Sequence, residues 1–522
     1  MSENFIGIIG ALKRNSRDFP LQRAIVCEEK ILTWEEVHKQ SNQIANKLLS
    51  AGYCKGDRAA VLSGNCIEYY LFLLGVVKAG MSIVPIPVMT SVEAASTMLS
   101  DSCAQVLIVS ESTCEKVESI LESMADCPVK LCLGFDFKSD NWNNLTEWIK
   151  GSSTAEPDCD IHPEDEFNII YSSGTTGQPK GIIHSHAFRA GDAEEMASSE
   201  SEDKNITVIT TALYSNYSVY AFLAALQDGG TAILMSKYNG LKFLEICEKE
   251  HPTDVFLVPV QIERLLNMPE FGNYSLGEKN MKWIAGSPLS IIRKKEVLEL
   301  WPGGLTELYG MTEGTPSTSL EAHLHPDKLE SVGCPASDTI IKILDDNDIE
   351  LPTGEIGEIV GHGPTMMTRY NNLPKETSEL VWQDKGGLSY FRSGDLGYLD
   401  EDGFLYISGR KKDMIISGGF NIYPIDIEEV LLKHDSVKEA AVIGVPCPDW
   451  GETPMALIVL KQGQNETKED LLAWTNQRLG RLQQIRLMKS VDFLPRNSLG
   501  KVLKKDLVKQ YESFAVQEDA KQ

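Results

Sequence analysis

A run of glycines and hydroxyl-bearing residues followed by a lysine is the stretch of this sequence best suited to hold a phosphate chain. It reads Tyr171-Ser-Ser-Gly-Thr-Thr-Gly-Gln-Pro-Lys-Gly181 and lies between the apolar runs 167–171 and 182–183. We therefore predict a loop between two strands. Its glycines permit a tight turn whose backbone N–H groups face phosphate oxygens, and the lysine adds positive charge. The residues expected to contact phosphate are Ser172, Ser173, Gly174, Thr175, Thr176, Gly177 and Lys180.

Loops of this composition are more often solvated surface loops without a ligand. The flanking apolar runs, the proline and the lysine favour the phosphate-binding interpretation here. The stretch is not the P-loop of the common nucleotidases, because it lacks Gly-Lys-Ser/Thr and no helix is evident after the lysine.

Two segments further along the chain carry groups that a nucleotide could contact. Ala285-Gly-Ser-Pro-Leu289 is a small-residue turn after a strand, where a flat ring could approach the backbone. Glu307-Leu-Tyr-Gly-Met-Thr-Glu313 combines an aromatic ring, a glycine, a hydroxyl and a carboxylate. Mg²⁺ prefers carboxylate and phosphate oxygens, so Glu313 is a candidate ligand. An ordinary turn and a core tyrosine beside a surface glutamate are the alternatives.

The last quarter of the chain has charged and glycine-containing turns that are either ligand-binding segments or ordinary surface turns. Asp395 follows Ser-Gly, Arg410 and Lys412 belong to a basic triple, Ser417 precedes two glycines, and Lys501 follows Ser-Leu-Gly. Taken singly, these residues are typical of turns, strand ends and solvated surfaces. A carboxylate can also accept from two ribose hydroxyls, and a lysine on a loop can meet developing negative charge.

These segments, in this order, resemble the motifs of the adenylate-forming superfamily, which contains acyl- and aryl-CoA synthetases, stand-alone adenylation domains and beetle luciferases. The resemblance covers essentially the whole chain. It implies an AMP-forming carboxylic acid–CoA ligase that uses ATP, Mg²⁺ and CoA. The acid would first attack the ATP α-phosphorus to give an acyl-adenylate and pyrophosphate, and the CoA thiol would then take the acyl group.

The resemblance also implies a role for each matching residue. Tyr309 would stack on adenine, Thr312 would contact phosphates, and Glu313 would hold Mg²⁺ with Thr176. Asp395 and Arg410 would bind the ribose side, and Lys501 would be the adenylation lysine. Further nucleotide-binding residues are Gly286, Ser287, Pro288, Glu307, Leu308, Gly310 and Met311. Lys412 stands at the family's hinge position, and Ser417, Gly418 and Gly419 resemble the segment along which pantetheine passes.

The acid pocket is the least determined part of the prediction. By resemblance it draws on Tyr214, Ser215, Asn216, Tyr217, Ala285, Gly310 and Met311. Ser215 stands where many relatives have a gating histidine, and Asn216 lies nearest to the aspartate that binds the ammonium of amino-acid substrates. A plain amino acid is therefore disfavoured, and an apolar chamber for a fatty or aromatic acid is expected. His184-Ser-His186 is interpreted as structural or substrate-adjacent, since no third metal ligand is suitably spaced.

Two other functions compete with the CoA ligase. An adenylating enzyme could deliver its acyl group to the phosphopantetheine of a carrier protein, which shares its arm with CoA. A nucleotide-binding sensor without catalysis is disfavoured by the presence of Lys501, Glu313, Thr312 and Arg410. A homodimer is possible and is not specified by the motifs.

The elements between the motifs alternate in a way that is typical of an α/β fold. Strands at 58–62, 82–88 and 105–109 alternate with helices at 67–79 and 91–101, which predicts a doubly wound parallel sheet. The region 206–284 predicts a second such sheet, and short alternating strands from 333 predict a β-barrel-like subdomain. With the resemblance, the expected organisation is a large N-terminal domain over 1–409, a hinge at 410–412 and a small mobile α+β domain over 413–522.

The bulk properties bound the remaining possibilities. The chain has 522 residues, a net charge of −26 and eleven cysteines. Such a length exceeds a single core, and the negative charge argues against nucleic acid or an anionic membrane as main partner. The scattered cysteines contain no Cys-x-x-Cys pair, which favours a reducing compartment. The most apolar run, 69–77, is too short to span a membrane, so a cytoplasmic protein without an integral membrane segment is expected.

Overall fold

A computed structural model describes the chain as two compact units. The first comprises Met1–Leu329, Ala336–Ile340 and His362–Phe391, and the second comprises Glu330–Pro335, Ile341–Gly361 and Arg392–Gln522. The residues that the structure describes are 7–135, 137–172, 179–196, 204–277, 280–336, 338–417, 420–447, 450–464, 466–480, 483–497 and 500–519. The domain boundaries drawn from the sequence, at 409 and 413, remain a prediction.

An eight-stranded sheet carries the predicted phosphate loop at one side. Its strands, in spatial order, are Arg369–Tyr370, Lys180–Ser185, Glu166–Ser172, Ser82–Pro85, Arg58–Leu62, Val106–Val109, Leu131–Gly134 and Asn143–Asn144. The strands from Glu166–Ser172 onward are parallel, and the first two add antiparallel pairings. The parallel strands are buried on both faces, which explains their continuous apolar sequences.

A second sheet of the first unit carries the predicted adenine and acid sites. In spatial order, its strands there are Gly314–Glu321, Leu305–Met311, Met281–Ile284, Asp254–Leu257, Ile206–Ile209, Thr231–Leu234, Arg23–Cys27 and Lys30–Thr33. Both end pairs are antiparallel, and the pairings between them are parallel. The site segments thus follow strands whose carboxyl ends share one edge of a parallel sheet, which is where ligands bind in such folds.

Helices cover both sheets and bury a large apolar core between them. They are Gly7–Asp18, Trp34–Ser50, Ile67–Lys78, Val92–Ser102, Glu111–Ser123, Leu145–Trp148, His186–Met196, Asn216–Asp228, Gly240–Glu250, Pro259–Leu266, Ile291–Leu300 and Pro374–Leu380. A short 3₁₀ turn spans Phe271–Asn273, and Val381–Gln383 pairs with residues 389–391. The helix Trp34–Ser50 begins with the predicted capping box, in which Thr33 and Glu36 bond reciprocally.

The second unit combines a group of paired strands with a compact α+β region. The first group contains residues 341–344 of Ile340–Leu344, residues 357–361 of Gly357–His362, residues 392–399 of Ser389–Leu399, and Leu405–Arg410. The α+β region contains strands Ile415–Ser417, Phe420–Ile422, Val437–Cys447, Gly451–Leu460 and Leu487–Ser490 and helices Pro424–Leu432, Lys468–Asn476 and Lys504–Asp519. A 3₁₀ turn at Lys411–Asp413 joins the two groups at the predicted hinge.

The predicted fold class is confirmed, with differences at element boundaries. The strand at 58–62 and the capped helix after Thr33 lie where the sequence predicted them. The helix predicted at 220–226 is longer and begins at Asn216, because Ser215 caps it. None of the helices in the described part of the chain has the length and apolar character needed to cross a membrane.

Close packing of two helices generates a test of the first unit's core. A Cβ added at Gly75 would lie 2.5 Å from the Cβ of buried Ile44 and 3.1 Å from the Ser41 carbonyl oxygen. We expect Gly75→Ala to destabilise the protein, because overpacking costs about 1–3 kcal/mol and outweighs the roughly 1 kcal/mol by which alanine favours a helix. Thermal unfolding measures the change. Gly64→Ala, where nothing lies within 4 Å of the added Cβ, is the control and should unfold like wild type.

Candidate active site

The strands that flank the predicted phosphate loop form an antiparallel pair, as the sequence predicted. Ser172 ends one strand and pairs with Lys180, the first residue of the next. Ser173, Gly174, Thr175, Thr176 and Gly177 lie outside the described residues. Lys180 points its Nζ at the ring of Tyr370, 5.0 Å from the centroid. The ring places a cation at the mouth of the loop while leaving its charge available.

Thr312 and Glu313 form the two-residue turn between strands Leu305–Met311 and Gly314–Glu321. The hydroxyl of Tyr370 donates to Glu313 Oε1 at 2.6 Å, and the Met367 N–H donates to the Glu313 carbonyl oxygen at 2.9 Å. Gly314 has φ 109°, and a Cβ there would lie 1.9 Å from the Thr365 carbonyl oxygen, so only glycine fits. Hydrogen bonds to the side chain and to the backbone of Glu313 therefore both hold the turn in place.

The Glu313 carboxylate has the chemistry that Mg²⁺ requires. It is half-buried, it supplies hard oxygen donors, and the Tyr370 bond fixes one of its oxygens. Tyr370 is 5% exposed, and burial, followed by the charge of Glu313, raises the pKa of its phenol. The hydroxyl therefore remains a donor. No local motif indicated Tyr370, which is 57 residues from Glu313.

Glu307 is engaged within the protein in this structure. Its Oε1 accepts the Leu289 N–H at 2.8 Å, and its Oε2 lies 2.5 Å from the Nζ of Lys294. Both side chains are buried, and Lys294 also donates to the Leu329 carbonyl oxygen. The Leu289 bond ties the strand Leu305–Met311 to the turn at 285–289, and the Lys294 pair ties it to the helix Ile291–Leu300. Glu307 thereby shapes the turn predicted to cover adenine, and its direct contact with the base remains a prediction.

The remaining predicted adenine residues lie around this turn and the end of the neighbouring strand. Gly286 has φ 95° and is exposed, Ser287 is half-buried and Pro288 is exposed. Leu308, Tyr309 and Met311 are half-buried, and Gly310 is exposed, at the end of strand Leu305–Met311. The Tyr309 ring thus belongs to a strand end that is only partly covered, as a stacking platform requires.

The acid-pocket segment begins the helix Asn216–Asp228. Ser215 is buried and caps the helix, accepting the Ser218 N–H at 3.2 Å. Tyr217 is half-buried and packs against the core, and its hydroxyl donates to the Trp283 carbonyl oxygen at 2.7 Å. Asn216 accepts a hydrogen bond from Arg189 at 2.8 Å. Tyr214, beside them, and Ala285, after strand Met281–Ile284, are half-buried.

The predicted ribose and lysine residues come together in the second unit. Asp395 and Arg410 are register partners on adjacent strands, with Arg410 Nε 3.1 Å from Asp395 Oδ1. Lys501 follows a turn in which its N–H donates to Asn497 Oδ1 at 2.9 Å. Burial, then the charge of Arg410, lowers the pKa of Lys501 to about 8. Arg410 and Lys412 oppose its protonation, whereas Asp395 favours it, so these groups lie close enough to interact.

The predicted hinge and pantetheine residues also belong to the second unit. Lys412 is the middle residue of the 3₁₀ turn, and burial, followed by Arg410, lowers its pKa. Ser417 ends a strand and pairs with Phe420 and with Gly451. Gly418 and Gly419 lie outside the described residues.

Known proteins resemble this chain over nearly its full length. Residues 12–371 match the AMP-binding enzyme family, and residues 426–501 match the AMP-binding enzyme C-terminal domain. The long-chain-fatty-acid–CoA ligase of Bacillus subtilis is 31% identical over 94% of this chain and 92% of its own length. The chain belongs to the AMP-binding enzyme family.

Other relatives agree with this assignment. A fatty acid–[acyl-carrier-protein] ligase, ScoC of Streptomyces coeruleorubidus, is 29% identical over 94% of this chain and 93% of its own. The crystal structure of ATP-bound MatB from Rhodopseudomonas palustris superimposes with a TM-score of 0.87 at 27% identity, covering 97% of this chain and 99% of that one. The protein is thus an AMP-forming acid–thiol ligase, and ATP, Mg²⁺ and CoA are the reactants and cofactors of this enzyme class.

The Tyr370–Glu313 contact generates a prediction for this AMP-binding enzyme. Tyr370→Phe removes the hydroxyl that orients the carboxylate but keeps the ring beside Lys180. We expect the KM for Mg²⁺ to rise about tenfold, because a hydrogen bond to a charged group contributes about 1.5–3 kcal/mol. Pyrophosphate exchange at varied Mg²⁺ measures it. Tyr390→Phe, which removes another tyrosine hydroxyl near a carboxylate, should leave this KM unchanged.

The lowered pKa of Lys501 generates a pH prediction. A lysine that stabilises negative charge must be protonated, so kcat/KM for adenylation should fall as the pH rises through about 8. Lys501→Arg keeps its charge at higher pH and should shift this decline upward. Lys501→Ala should lose adenylation but still form thioester from supplied acyl-adenylate. An identical alkaline decline in wild type and Lys501→Arg would contradict the assignment.

Proposed function

We propose that the protein activates a carboxylic acid with an uncharged fatty or aromatic tail and transfers the acyl group to CoA. The observation that supports this choice of acid is the hydrogen bonding and the lack of charge of the side chains at residues 215–217. The side-chain oxygens of Ser215, Asn216 and Tyr217 each have a partner within the protein. None of the three carries a charge, and burial raises the pKa of the Tyr217 phenol, which keeps it neutral.

An acid with a second charged group would find no oppositely charged partner on a pocket wall formed by residues 215–217. Burying an unpaired carboxylate or ammonium costs several kcal/mol or more, which is why such groups are bound by opposite charges. The ring of Tyr217 packs 5.4 Å from the ring of Phe256, and the ring of Phe256 stacks on that of Trp283 at 5.9 Å. An aromatic, neutral wall supports an apolar acid tail and disfavours dicarboxylic and amino acids.

In the first half-reaction the acid's carboxylate oxygen bonds to the α-phosphorus, and the bond from that phosphorus to pyrophosphate breaks. We assign charge stabilisation on the transferring phosphoryl group to Lys501, with Thr312 and Lys180 binding phosphate oxygens. Glu313 and Thr176 would hold Mg²⁺, which neutralises phosphate charge when bound. Asp395 and Arg410 would orient the ribose and the α-phosphate side.

In the second half-reaction the thiol loses its proton to water, its sulfur bonds to the acyl carbon, and AMP leaves with the electron pair of the broken anhydride bond. We assign the backbone around Ser417, Gly418 and Gly419 to the pantetheine path and the hinge to Lys412. Movement at such a hinge would let one site serve both half-reactions in turn.

CoA and a carrier protein share the pantetheine arm, so contacts outside that arm must distinguish the two acceptors. Two cation–aromatic pairs in the second unit support CoA, whose adenosine end has a ring and phosphates. The Arg486 guanidinium lies 5.5 Å from the Trp450 ring, and the Lys489 ammonium lies 4.9 Å from the Tyr511 ring. Loading of a carrier protein is the second candidate, favoured by the similarity to the ScoC ligase.

Product analysis by mass spectrometry tests both parts of the proposal. The protein is incubated with ATP, Mg²⁺ and CoA and with aliphatic, aromatic, dicarboxylic and amino acids. We expect AMP together with the CoA thioester of an aliphatic or aromatic acid. Lys501→Ala is the negative control for adenylation.

The other outcomes discriminate between the alternatives. Thioesters of dicarboxylic acids alone would contradict the proposed neutral pocket. Acyl-adenylate without acyl-CoA would favour a carrier protein as acceptor. ATP binding without AMP formation from any acid would contradict the proposed ligase activity.

A further inference from the structure

Arg189 is a permanently charged residue that is completely buried in the first unit. Its side chain has 0% exposure, and it lies on the helix His186–Met196. Its Nε donates to Asn168 Oδ1 at 2.7 Å, and one terminal nitrogen donates to Asp192 Oδ2 at 2.9 Å. A buried guanidinium is tolerated only when its donors are matched in this way.

The second terminal nitrogen of Arg189 connects two segments of the predicted site. It donates to Asn216 Oδ1 at 2.8 Å, at the start of the acid-pocket helix. It also donates to His184 Nδ1 at 2.9 Å. Because a guanidinium only donates, Nδ1 must be the acceptor and the His184 proton must be on Nε2.

The Nε2–H of His184 is directed at the ATP-binding turn. It donates to the carbonyl oxygen of Thr312 at 2.7 Å. The amide nitrogen of Asn168 also lies 2.9 Å from His184 Nδ1, so a second donor enforces the same tautomer. Burial, then the charge of Arg189, lowers the pKa of His184 well below its usual value, in agreement with a neutral ring.

The simplest alternative is that this network only joins the helix to the sheet. An apolar cluster would do so at lower desolvation cost, because replacing buried ion pairs with hydrophobic side chains is often neutral or stabilising. Two chains of hydrogen bonds also start at Arg189 and reach specific residues: one ends on Asn216, and the other passes through His184 and ends on Thr312. Both ends are residues assigned to substrates, on different elements.

We propose that Arg189 is a positioning residue that holds Asn216 at the acid pocket and, through His184, the Thr312 carbonyl at the ATP-binding turn. The proposal rests on the proposed function, because it uses the assigned acid and ATP sites. It assigns Arg189 no contact with a reacting atom.

Variants that cut the branches separately test the proposal. His184→Leu removes the branch to Thr312, and Asn216→Ala removes the branch to the acid pocket. Removing Arg189 alone would leave the Asp192 charge buried, so the central variant is Arg189→Gln with Asp192→Asn. His184→Gln is the conservative variant, because its side-chain amide can still donate to the Thr312 carbonyl oxygen.

The control is a second arginine–carboxylate pair of the same unit. Arg58 and Glu166 lie 3.0 Å apart, with side chains 16% and 21% exposed. Arg58→Gln with Glu166→Gln removes this partly exposed pair, which lies outside the network, together with the contact between Glu166 and Arg369 at 2.7 Å. Thermal unfolding of this control and of the central variant separates loss of stability from loss of positioning.

Each variant has its own expected pattern. His184→Leu should raise the Kd of Mg·ATP, measured by calorimetry, about tenfold and leave the KM of the acid within about threefold. Asn216→Ala should show the reverse pattern. The central variant should raise both constants, and His184→Gln should regain most of the ATP affinity. Thioester formation from supplied acyl-adenylate should change less than adenylation in the His184 variants.

Two results would overturn the proposal. In one, the central variant loses stability while its Kd for Mg·ATP and its KM for the acid stay within about threefold of the control. In the other, His184→Leu and Asn216→Ala give the same pattern. Failure of the proposed function is separately visible, because calorimetry with Mg·ATP needs no acid and reports the His184 branch even if wild type forms no AMP.

Discussion

The turn at Thr312–Glu313 is the constraint on which the proposed ATP site depends. A turn of two residues leaves backbone carbonyls without strand partners, and each such carbonyl needs another donor. In this protein both carbonyls are fixed, one by the His184 ring N–H and the other by the Met367 N–H. Tyr370 fixes the Glu313 carboxylate as well. The hydroxyl proposed to bind phosphate and the carboxylate proposed to hold Mg²⁺ therefore start from defined positions, which lowers the entropic cost of binding.

Because the whole chain is negatively charged, binding of anionic ligands such as ATP and CoA depends on the few cations close to the proposed binding residues. A protein with a net charge of −26 repels ATP and CoA at long range, although physiological salt screens this repulsion beyond about 8 Å. In the first unit Lys180 faces a tyrosine ring, and in the second unit Arg410 pairs with Asp395. The pKa of Lys501 is lowered partly because Arg410 and Lys412 are close to it. A bound phosphate would relieve the repulsion among Arg410, Lys412 and Lys501. The cations that lower the pKa of Lys501 therefore also favour an anionic ligand.

Sequence reasoning succeeded where structure is local in the chain. The strands around the predicted phosphate loop and the turn after residue 284 follow from short motifs that contain turn residues. The partners that support these motifs could not be found in this way. Tyr370 and Arg189 reach Glu313 and Asn216 only through pairing of distant strands and helices, and a tyrosine or arginine carries no local signal for such a contact. Glu307 shows the same limit, because its buried partner Lys294 looks like an ordinary helix residue in sequence.

The supporting residues differ from the motif residues in what their loss would change. A motif residue acts on the ligand, and its chemistry can be inferred from its type. Arg189 acts on two protein groups at once, so its effect depends on where the fold places Asn216 and Thr312. The carboxylate and the α-phosphorus must approach each other at about 3 Å for attack, and a misplacement of 1 Å costs about a hundredfold in rate. The Arg189 guanidinium is linked by hydrogen bonds to a residue of each proposed site. A shift of one residue is therefore resisted by the hydrogen bonds to the other, which limits the misplacement more effectively than two independent contacts would.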